Sequence, residues 1–271
     1  MQLQLETAAV CHARCVFCEY PTMQRSKGFM DLGLSRKILD EAAGIEPIDT
    51  VTFTGLGEPL LDRHLEERIR HAKGIRPAWE TNVYTVGTHL THERAESLAA
   101  SGLDILYVSL NAVTAAKRKA ITKLDDFDKV VEQIRYAMGL KAYRVIVKAV
   151  MSKDLFGGHE TEMFLAMWGG PTNDGGNAFL HLEGNWAGDT WKTRIPQTEI
   201  PCHRALGQIM VLWDGRVSLC CFDGEGKEIL GDLNTQTIRE VYNGGRALFI
   251  TEAHNEGRRN EIAICAGCTG I

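Results

Sequence analysis

Short apolar runs alternate with segments of helical periodicity along most of the chain, and this alternation restricts the possible folds more than any other feature. It is typical of repeated βα units, which place parallel strands in one sheet. We predict strands near residues 3–10, 50–54, 78–85, 104–110, 142–151 and 178–183. We predict helices over Ser35–Ala43, Asp62–Lys73, Thr91–Ser101, Phe127–Gly139 and Glu160–Met167, the third with Thr91 as its N-cap. Such units form a curved sheet or partial barrel of the α/β class, with the active site in loops after the carboxyl ends of the strands.

The amino-acid composition changes after the last of these strands. Residues 169–201 are dense in Gly, Trp, Asn and Pro, which indicates an irregular bridge between two regions. We therefore predict an α/β core domain over residues 1–195 and a smaller C-terminal domain over residues 196–271.

Composition excludes several classes of protein. The sequence has no run of about 18 apolar residues and no signal-peptide pattern at its start, so we expect a cytoplasmic protein with no membrane partner. The formal net charge is -5, with 30 basic residues spread along the chain. This distribution gives no support for nucleic acid as a partner.

The eight cysteines occur only near the two ends of the chain, at positions 11, 15, 18, 202, 220, 221, 265 and 268. Clustered cysteines in a cytoplasmic protein are metal ligands more often than disulfides, because that compartment keeps thiols reduced. The sequence therefore predicts two metal or cluster sites.

The first cysteine set directly follows the first predicted strand, in the position of an active-site loop. Cys11, Cys15 and Cys18 lie within eight residues, and no fourth cysteine follows nearby. Three thiolates can hold three irons of a cubane and leave the fourth open. A zinc site would need His12 or a distant residue as its fourth ligand. Spacing favours iron–sulfur and leaves zinc as the alternative.

This C-x3-C-x2-C loop, with aromatic Phe17 before the third cysteine, resembles the signature of the radical S-adenosylmethionine (SAM) superfamily. The resemblance implies a partial (β/α)6 TIM-like barrel in which Cys11, Cys15 and Cys18 hold a 4Fe-4S cluster and Phe17 lies near the adenine of SAM. The cluster would cleave SAM to methionine and a 5'-deoxyadenosyl radical. The resemblance also implies an electron donor such as flavodoxin or ferredoxin.

Two later segments resemble SAM-binding motifs of the same family. Gly57, Glu58 and Pro59 end the second predicted strand and resemble the Gly-Glu-Pro motif that binds the methionine amino group. Ser109 ends the fourth strand and resembles the serine that contacts the SAM carboxylate or ribose. In the family a basic residue often follows this serine. No single residue here clearly matches it, and the candidates are Arg118, Lys119 and Lys123. A turn and a strand-end cap are the ordinary alternatives for these motifs.

Charged side chains also alternate along the last two strands of the core. Lys148 on the fifth strand, and His181 and Glu183 on the sixth, each share a face with residues two positions away. If these faces point into the barrel, the three side chains contact substrate or cofactor. The alternative is that they are solvated or paired residues at strand ends.

The second cysteine set spans positions 202 to 268, and by residue type alone it fits either zinc or an iron–sulfur cluster. It resembles the SPASM or shorter twitch extension of radical SAM enzymes, a β-hairpin plus helix that holds an auxiliary 4Fe-4S cluster. The resemblance implies Cys202, Cys220, Cys265 and Cys268 as ligands, with Cys221 as the alternative to Cys220.

These parts together predict an oxidoreductase with two 4Fe-4S clusters and SAM. The radical would abstract hydrogen from a small polar or sugar-like substrate, and the auxiliary cluster would accept an electron. A peptide or protein maturase that forms crosslinks is the first alternative. A non-catalytic zinc or iron–sulfur protein is the second.

Overall fold

One continuous sheet runs through residues 1–151, 158–182 and 201–268, the ranges that the computed structural model describes. Within these ranges its strands are β1 (Gln2–Leu5), β2 (Thr50–Phe53), β3 (Glu80–Thr85), β4 (Ile105–Ser109), β5 (Arg144–Met151), β6 (Ala178–Leu182), β7 (Gln208–Val211), β8 (Arg216–Ser218) and β9 (Ile229–Asp232). The helices of the same ranges are α1 (Leu32–Ala43), α2 (Leu65–Ile75), α3 (His92–Ser101), α4 (Ala115–Thr122), α5 (Phe127–Leu140), α6 (His159–Met167), α7 (His203–Gly207), α8 (Ile238–Tyr242), α9 (Gly245–Asn255) and α10 (Ala263–Ala266).

The strand order is β6-β5-β4-β3-β2-β1-β7-β8-β9. Strands β1 to β6 are parallel to their neighbours, as helix-connected strands require. The C-terminal β7 also pairs parallel with β1, and β8 and β9 then continue antiparallel. The predicted α/β class, a partial barrel followed by C-terminal strands and a helix, is confirmed. The predicted domain boundary near residue 195 lies outside the described residues.

Helix ends follow from local sequence. The Thr91 side chain accepts a hydrogen bond from the backbone N–H of Arg94 and begins α3, as predicted, while Gly102 ends it with a φ of 84°. The apolar faces of α1, α3 and α5 bury residues such as Ile38, Leu98 and Ile134 against the sheet. No described helix is long and apolar enough to cross a membrane.

Two elements differ from prediction. Strand β1 ends at Leu5 rather than near residue 10, because the buried carboxylate of Glu6 pairs with Arg25 and accepts hydrogen bonds from Leu56 and Trp213 instead of facing a neighbouring strand. Helix α4 was not predicted. Its buried face carries Arg118 and Thr122 beside Ile121, so the sequence lacks the apolar stripe of a core helix.

Candidate active site and cluster sites

The loop that carries Cys11, Cys15 and Cys18 is docked on the end of α4. The backbone N–H of Arg14 donates to the carbonyl of Thr122, and that of Val16 donates to Ile121, both at 3.0 Å. The N–H of Cys18 turns back to the carbonyl of Cys15 at 3.1 Å. The helix that the sequence did not reveal therefore fixes the shape of the cysteine loop.

Burial changes the acidity of these three thiols. It raises the pKa of Cys11 and of Cys15 to about 12, and that of Cys18 to about 11. Neighbouring thiols add to the shift at Cys11 and Cys15, since three thiolates close together repel one another. Without a cation the loop stays protonated. Metal binding would displace the protons and remove this repulsion, which is the behaviour of a metal-binding loop.

The three cysteines line a cavity of about 240 Å³ at the carboxyl ends of the strands. Its lining also contains Phe17, Gly57, Glu58, Ser109, Lys148 and His181, all predicted from the sequence. Pro59, predicted as a cofactor contact, is not among the described lining residues. It is buried at the start of the 3-10 turn Pro59–Leu61, where its fixed φ suits the first position.

The Glu58 carboxylate connects the ends of β2 and β3. One oxygen accepts hydrogen bonds from the Thr85 hydroxyl at 2.7 Å and the Leu60 N–H at 3.0 Å, and the other from the Val86 N–H at 2.7 Å. Burial raises the pKa of Glu58, and these hydrogen bonds oppose that rise. Both oxygens already have partners within the protein, so Glu58 organises the loop. Its direct contact with a cofactor stays a prediction.

Gly57 permits the closest backbone approach in the site. A Cβ atom at this position would lie 1.8 Å from the carbonyl oxygen of Ala8. The next residue, Glu58, donates its N–H to the carbonyl of Val10 at 2.8 Å. Only glycine allows the loop after β2 to lie flat on the cysteine loop.

The three candidate basic residues lie in different environments. Arg118 is fully buried, pairs with Asp126 at 2.7 Å, and donates to the carbonyls of Val86 and Leu110. Lys119 pairs with Asp125 at an exposed site, and Lys123 donates to the carbonyl of Ala120. Of the three, Arg118 alone bonds the strand ends, and it does so as a crosslink between the loops after β3 and β4.

Lys148 and His181 border a second, adjoining compartment of about 360 Å³. The Lys148 ammonium lies 4.4 Å from the centroid of the Tyr84 ring and 5.5 Å from that of Phe179. Burial, with the Arg204 charge nearby, lowers the pKa of Lys148 to about 8. Burial together with Lys148 lowers that of His181 to about 4. Glu183, the third member of this predicted set, lies outside the described residues.

Sequence reasoning missed Arg204 and Tyr84, which also line this compartment. Tyr84 lies on β3 one residue before the strand ends, and alternation along that strand is the signal that could have identified it. Arg204 lies two residues after Cys202 on α7, and no motif marks it.

The second cysteine set forms a separate buried group in the C-terminal segment. Cys202, Cys220, Cys265 and Cys268 are each 8% exposed. Burial raises the pKa of Cys220 and brings that of Cys265 to about 12, and the neighbouring thiols of the set raise both further. Four buried thiols that repel one another when charged are a donor set suited to a metal cluster.

Cys221 has polar contacts outside that group. Its sulfur accepts hydrogen bonds from Gln208 Nε2 at 3.4 Å and Arg204 Nη1 at 3.8 Å, and it lines the compartment with Lys148. The two adjacent cysteines therefore face different sites. This arrangement supports the choice of Cys220 as the ligand, which stays a prediction.

His254 is packed between two members of the second set. Its Nδ1 accepts the backbone N–H of Cys202 at 3.2 Å, and its Nε2 lies 3.7 Å from the Cys265 sulfur. Burial lowers the pKa of His254, which favours the neutral ring. Because Nδ1 is an acceptor, the proton of the neutral ring resides on Nε2 and faces the sulfur. His254 is thus placed to donate an N–H···S hydrogen bond to a ligand thiolate.

The described residues form neither a single-ion site nor a disulfide. Across the described ranges, no three or more Cys, His, Asp or Glu side chains converge on a point where one ion could bind. None of the eight cysteines forms a disulfide. Zinc requires every sulfur about 2.3 Å from the same ion, whereas a cubane binds each thiolate through a different iron.

Two protein-family models match separate parts of the chain. The model of the radical SAM superfamily matches residues 5–151, more than half of the chain. The model of the SPASM iron–sulfur cluster-binding domain matches residues 202–269. These matches imply SAM binding and 4Fe-4S clusters, and they cover the two cysteine sets separately.

Two curated relatives match part of the chain. The chain is 31% identical over 115 residues to the tungsten-containing aldehyde ferredoxin oxidoreductase cofactor-modifying protein of Pyrococcus furiosus, covering 42% of this chain and 32% of that protein. It is 35% identical over 150 residues to the GTP 3',8-cyclase of Mycobacterium marinum, covering 53% and 40%. The chain thus spans well under half the length of these relatives.

Two solved structures share the fold. BtrN in complex with AdoMet and 2-DOIA superposes with a TM-score of 0.70 at 19% identity, covering all of this chain and 93% of BtrN. SuiB of Streptococcus suis bound to precursor peptide SuiA gives 0.68 at 13% identity, covering 92% of this chain and 66% of SuiB. At these identities the likeness concerns the fold alone.

Proposed function

This chain belongs to the radical SAM superfamily, and we propose that it oxidises a small polar or sugar-like substrate through hydrogen abstraction. When bound, SAM and a 4Fe-4S cluster on Cys11, Cys15 and Cys18 supply the 5'-deoxyadenosyl radical that takes the hydrogen atom. The chain itself provides the cavity, its polar contacts and the exclusion of water. We infer that Phe17, Gly57 and Ser109 contribute to holding SAM.

The observation that carries the proposal is the position of the second cysteine set beside the cavity. Cys220 belongs to the buried thiol group, and the next residue, Cys221, lines the compartment that Lys148 and His181 border. Four protein thiols would close the second cluster and leave it no position for substrate. We therefore assign that set to an electron acceptor.

The proposed oxidation balances as the loss of one hydrogen atom, one electron and one proton from substrate. With both groups bound, the hydrogen atom would go to the deoxyadenosyl radical, the electron to the cluster on the second cysteine set, and the proton to His181. Burial lowers the pKa of His181 to about 4, so its ring is uncharged near pH 7 and would pass the proton on to solvent rather than keep it. Oxidation of an alcohol carbon to a carbonyl fits this sequence of losses.

A peptide substrate is the second candidate. A protein of similar fold, SuiB, is bound to its precursor peptide SuiA in a solved structure. The same electron and hydrogen transfers would then form a crosslink or oxidise a side chain. Analysis of the oxidised product, small molecule or peptide, separates the two candidates.

The first test is reductive cleavage of SAM. Protein reconstituted anaerobically with iron and sulfide, then reduced with dithionite, is expected to form 5'-deoxyadenosine from SAM. Cys15→Ala is expected to lose this activity. Cys220→Ala, the matched cysteine of the second set, is expected to retain it and to lose substrate oxidation. Deoxyadenosine formation that survives in Cys15→Ala, or that is missing from the wild type, would refute the proposal.

A further inference from the structure

The second compartment, of about 360 Å³, is lined by basic side chains without acidic ones among the described residues. Lys148, Arg204 and His181 line it, together with Gln4, Cys221 and Tyr84. Among its described lining residues there is no Asp or Glu. Two permanent or near-permanent cations therefore border one small space without a carboxylate beside them.

Both cations have unused hydrogen-bonding capacity. The Lys148 ammonium is surrounded by aromatic rings and makes no hydrogen bond or ion pair within the described part of the chain. Arg204 stacks on Phe222, with its guanidinium 4.4 Å from the ring centroid, and its buried Nε has no partner among the described residues. On the same wall, the buried Oε1 of Gln4 also lacks a described partner.

Two cations this close together are electrostatically unfavourable without an anion between them. Arg204 and burial together disfavour the charged form of Lys148, because like charges repel and a cation loses solvation when it is buried. An anion between the two cations would remove the repulsion and gain charge-assisted hydrogen bonds. A neutral sugar would leave the repulsion in place.

We propose that this compartment binds an anionic group of the substrate, a carboxylate or a phosphate, between Arg204 and Lys148. The unpaired oxygen of Gln4 would accept a hydrogen bond from a hydroxyl of the same molecule. This inference rests on the proposed function, since it narrows the substrate of that cavity to a small anionic molecule. A volume of about 360 Å³ fits such a ligand.

Lys148 could also contact the carboxylate of SAM, whereas Arg204 could not. Lys148 lines both compartments, so the carboxylate of SAM is a competing partner for its ammonium. Arg204 borders only the second compartment. A variant of Arg204 therefore tests the substrate anion without altering the contacts predicted for SAM.

The test is anaerobic titration calorimetry of the reconstituted, SAM-loaded protein with inorganic phosphate and, separately, with acetate. We expect saturable binding of at least one anion. Arg204→Gln and Lys148→Met should each weaken it at least about tenfold, the effect of one lost charge-assisted hydrogen bond. Arg204→Lys should recover part of the loss. Preference for phosphate or for acetate then identifies the anionic group.

Exposed residues on α5 supply matched controls. Arg135→Gln and Lys129→Met remove the same charges from the surface and should leave anion binding unchanged. Equal weakening in these controls, or unchanged binding in Arg204→Gln, would overturn the inference. Deoxyadenosine formation in the same preparations keeps the two proposals apart. If it occurs without anion binding, only the inference fails, and if anions bind without it, only the proposed function fails.

Discussion

Cys220 and Cys221 show how two identical side chains acquire different roles. Cys220 is buried with the other thiols of the second set, whereas Cys221 accepts hydrogen bonds from Gln208 and Arg204 at the edge of the cavity. The backbone turns at this point, with the N–H of Asp223 donating to the carbonyl of Cys220 at 3.1 Å, and the two adjacent side chains have different partners. Burial and these contacts support Cys220 as the auxiliary ligand, which stays a prediction.

Lys148 makes anion binding in the cavity depend on pH. Its pKa is lowered to about 8, so the ammonium is present below pH 8 and is lost as the pH rises through that value. Affinity for sulfate, whose charge is constant over this range, should therefore be highest below pH 8 and fall above it. Calorimetric titrations between about pH 6.5 and 9.5 measure this profile.

The groups that face Lys148 are Arg204, His181, Cys221, Tyr84 and Tyr107. His181 is neutral throughout, and burial raises the pKa of Tyr84 and that of Tyr107. In Lys148→Met the fall near pH 8 should disappear. A fall that persists in that variant would contradict this role of Lys148.

Sequence motifs allowed residues distant in the chain to be placed together. The cysteine loop, Gly57, Glu58 and Ser109 could be placed at one cavity because their order along the chain matches the ends of successive parallel strands. Arg204 could not, because its position in the cavity depends on how α7 and β7 return to β1, a contact between residues about 200 positions apart. No local sequence pattern indicates a contact between residues so far apart in the chain.

At the scale of elements, the site depends on three loops that pack on one another. The cysteine loop lies between the end of α4, which binds its backbone, and the loop after β2, which contacts it through Gly57. Glu58 and Arg118 then connect these loops to the ends of β3 and β4. The arrangement of thiols is thus a property of packed loops rather than of the cysteines alone.

Gly57→Ala should disrupt this packing. The new methyl group would lie 1.8 Å from the carbonyl oxygen of Ala8, so backbone must move. We expect the free energy of unfolding to fall by about 3 kcal/mol or more, the upper end of overpacking effects. Urea unfolding of the apoprotein measures this change, and iron uptake at the first site should fall with it.

Gly139 provides the matched control. It lies inside α5, and a Cβ there would meet no atom within 4 Å. Gly139→Ala should stabilise the protein by about 0.5–1 kcal/mol, since alanine restricts the unfolded chain and favours helix. If the two substitutions gave similar changes, the close contact of Gly57 would not be structural.

Element prediction failed where polar residues occupy buried faces. Helix α4 buries Arg118, and the residue after β1 is the buried Glu6, so both segments lack the apolar periodicity that identifies core elements. Their stability comes from ion pairs with Asp126 and Arg25 that only the folded chain brings together. Helices with apolar faces, such as α3 and α5, were predicted to within one or two residues.

At the scale of the whole molecule, the C-terminal segment extends the sheet of the core. Strand β7 pairs with β1 from Gln208 opposite Gln2 to Val211 opposite Leu5. The sequence predicted a smaller C-terminal domain but not this pairing, because no pattern reveals which edge of a sheet a later strand will join. This pairing brings Arg204 and Cys221 to the cavity, so the second cysteine set and the substrate compartment belong to one structure.

The most direct test of two separate clusters is iron content after anaerobic reconstitution, with electron paramagnetic resonance of the reduced protein. We predict about eight irons for the wild type and for Cys221→Ala, and about four for Cys15→Ala and for Cys220→Ala. The two four-iron variants should show different spectra, each with one remaining cluster. About four irons in the wild type, or loss of iron in Cys221→Ala but not in Cys220→Ala, would contradict the assignment of the two sites.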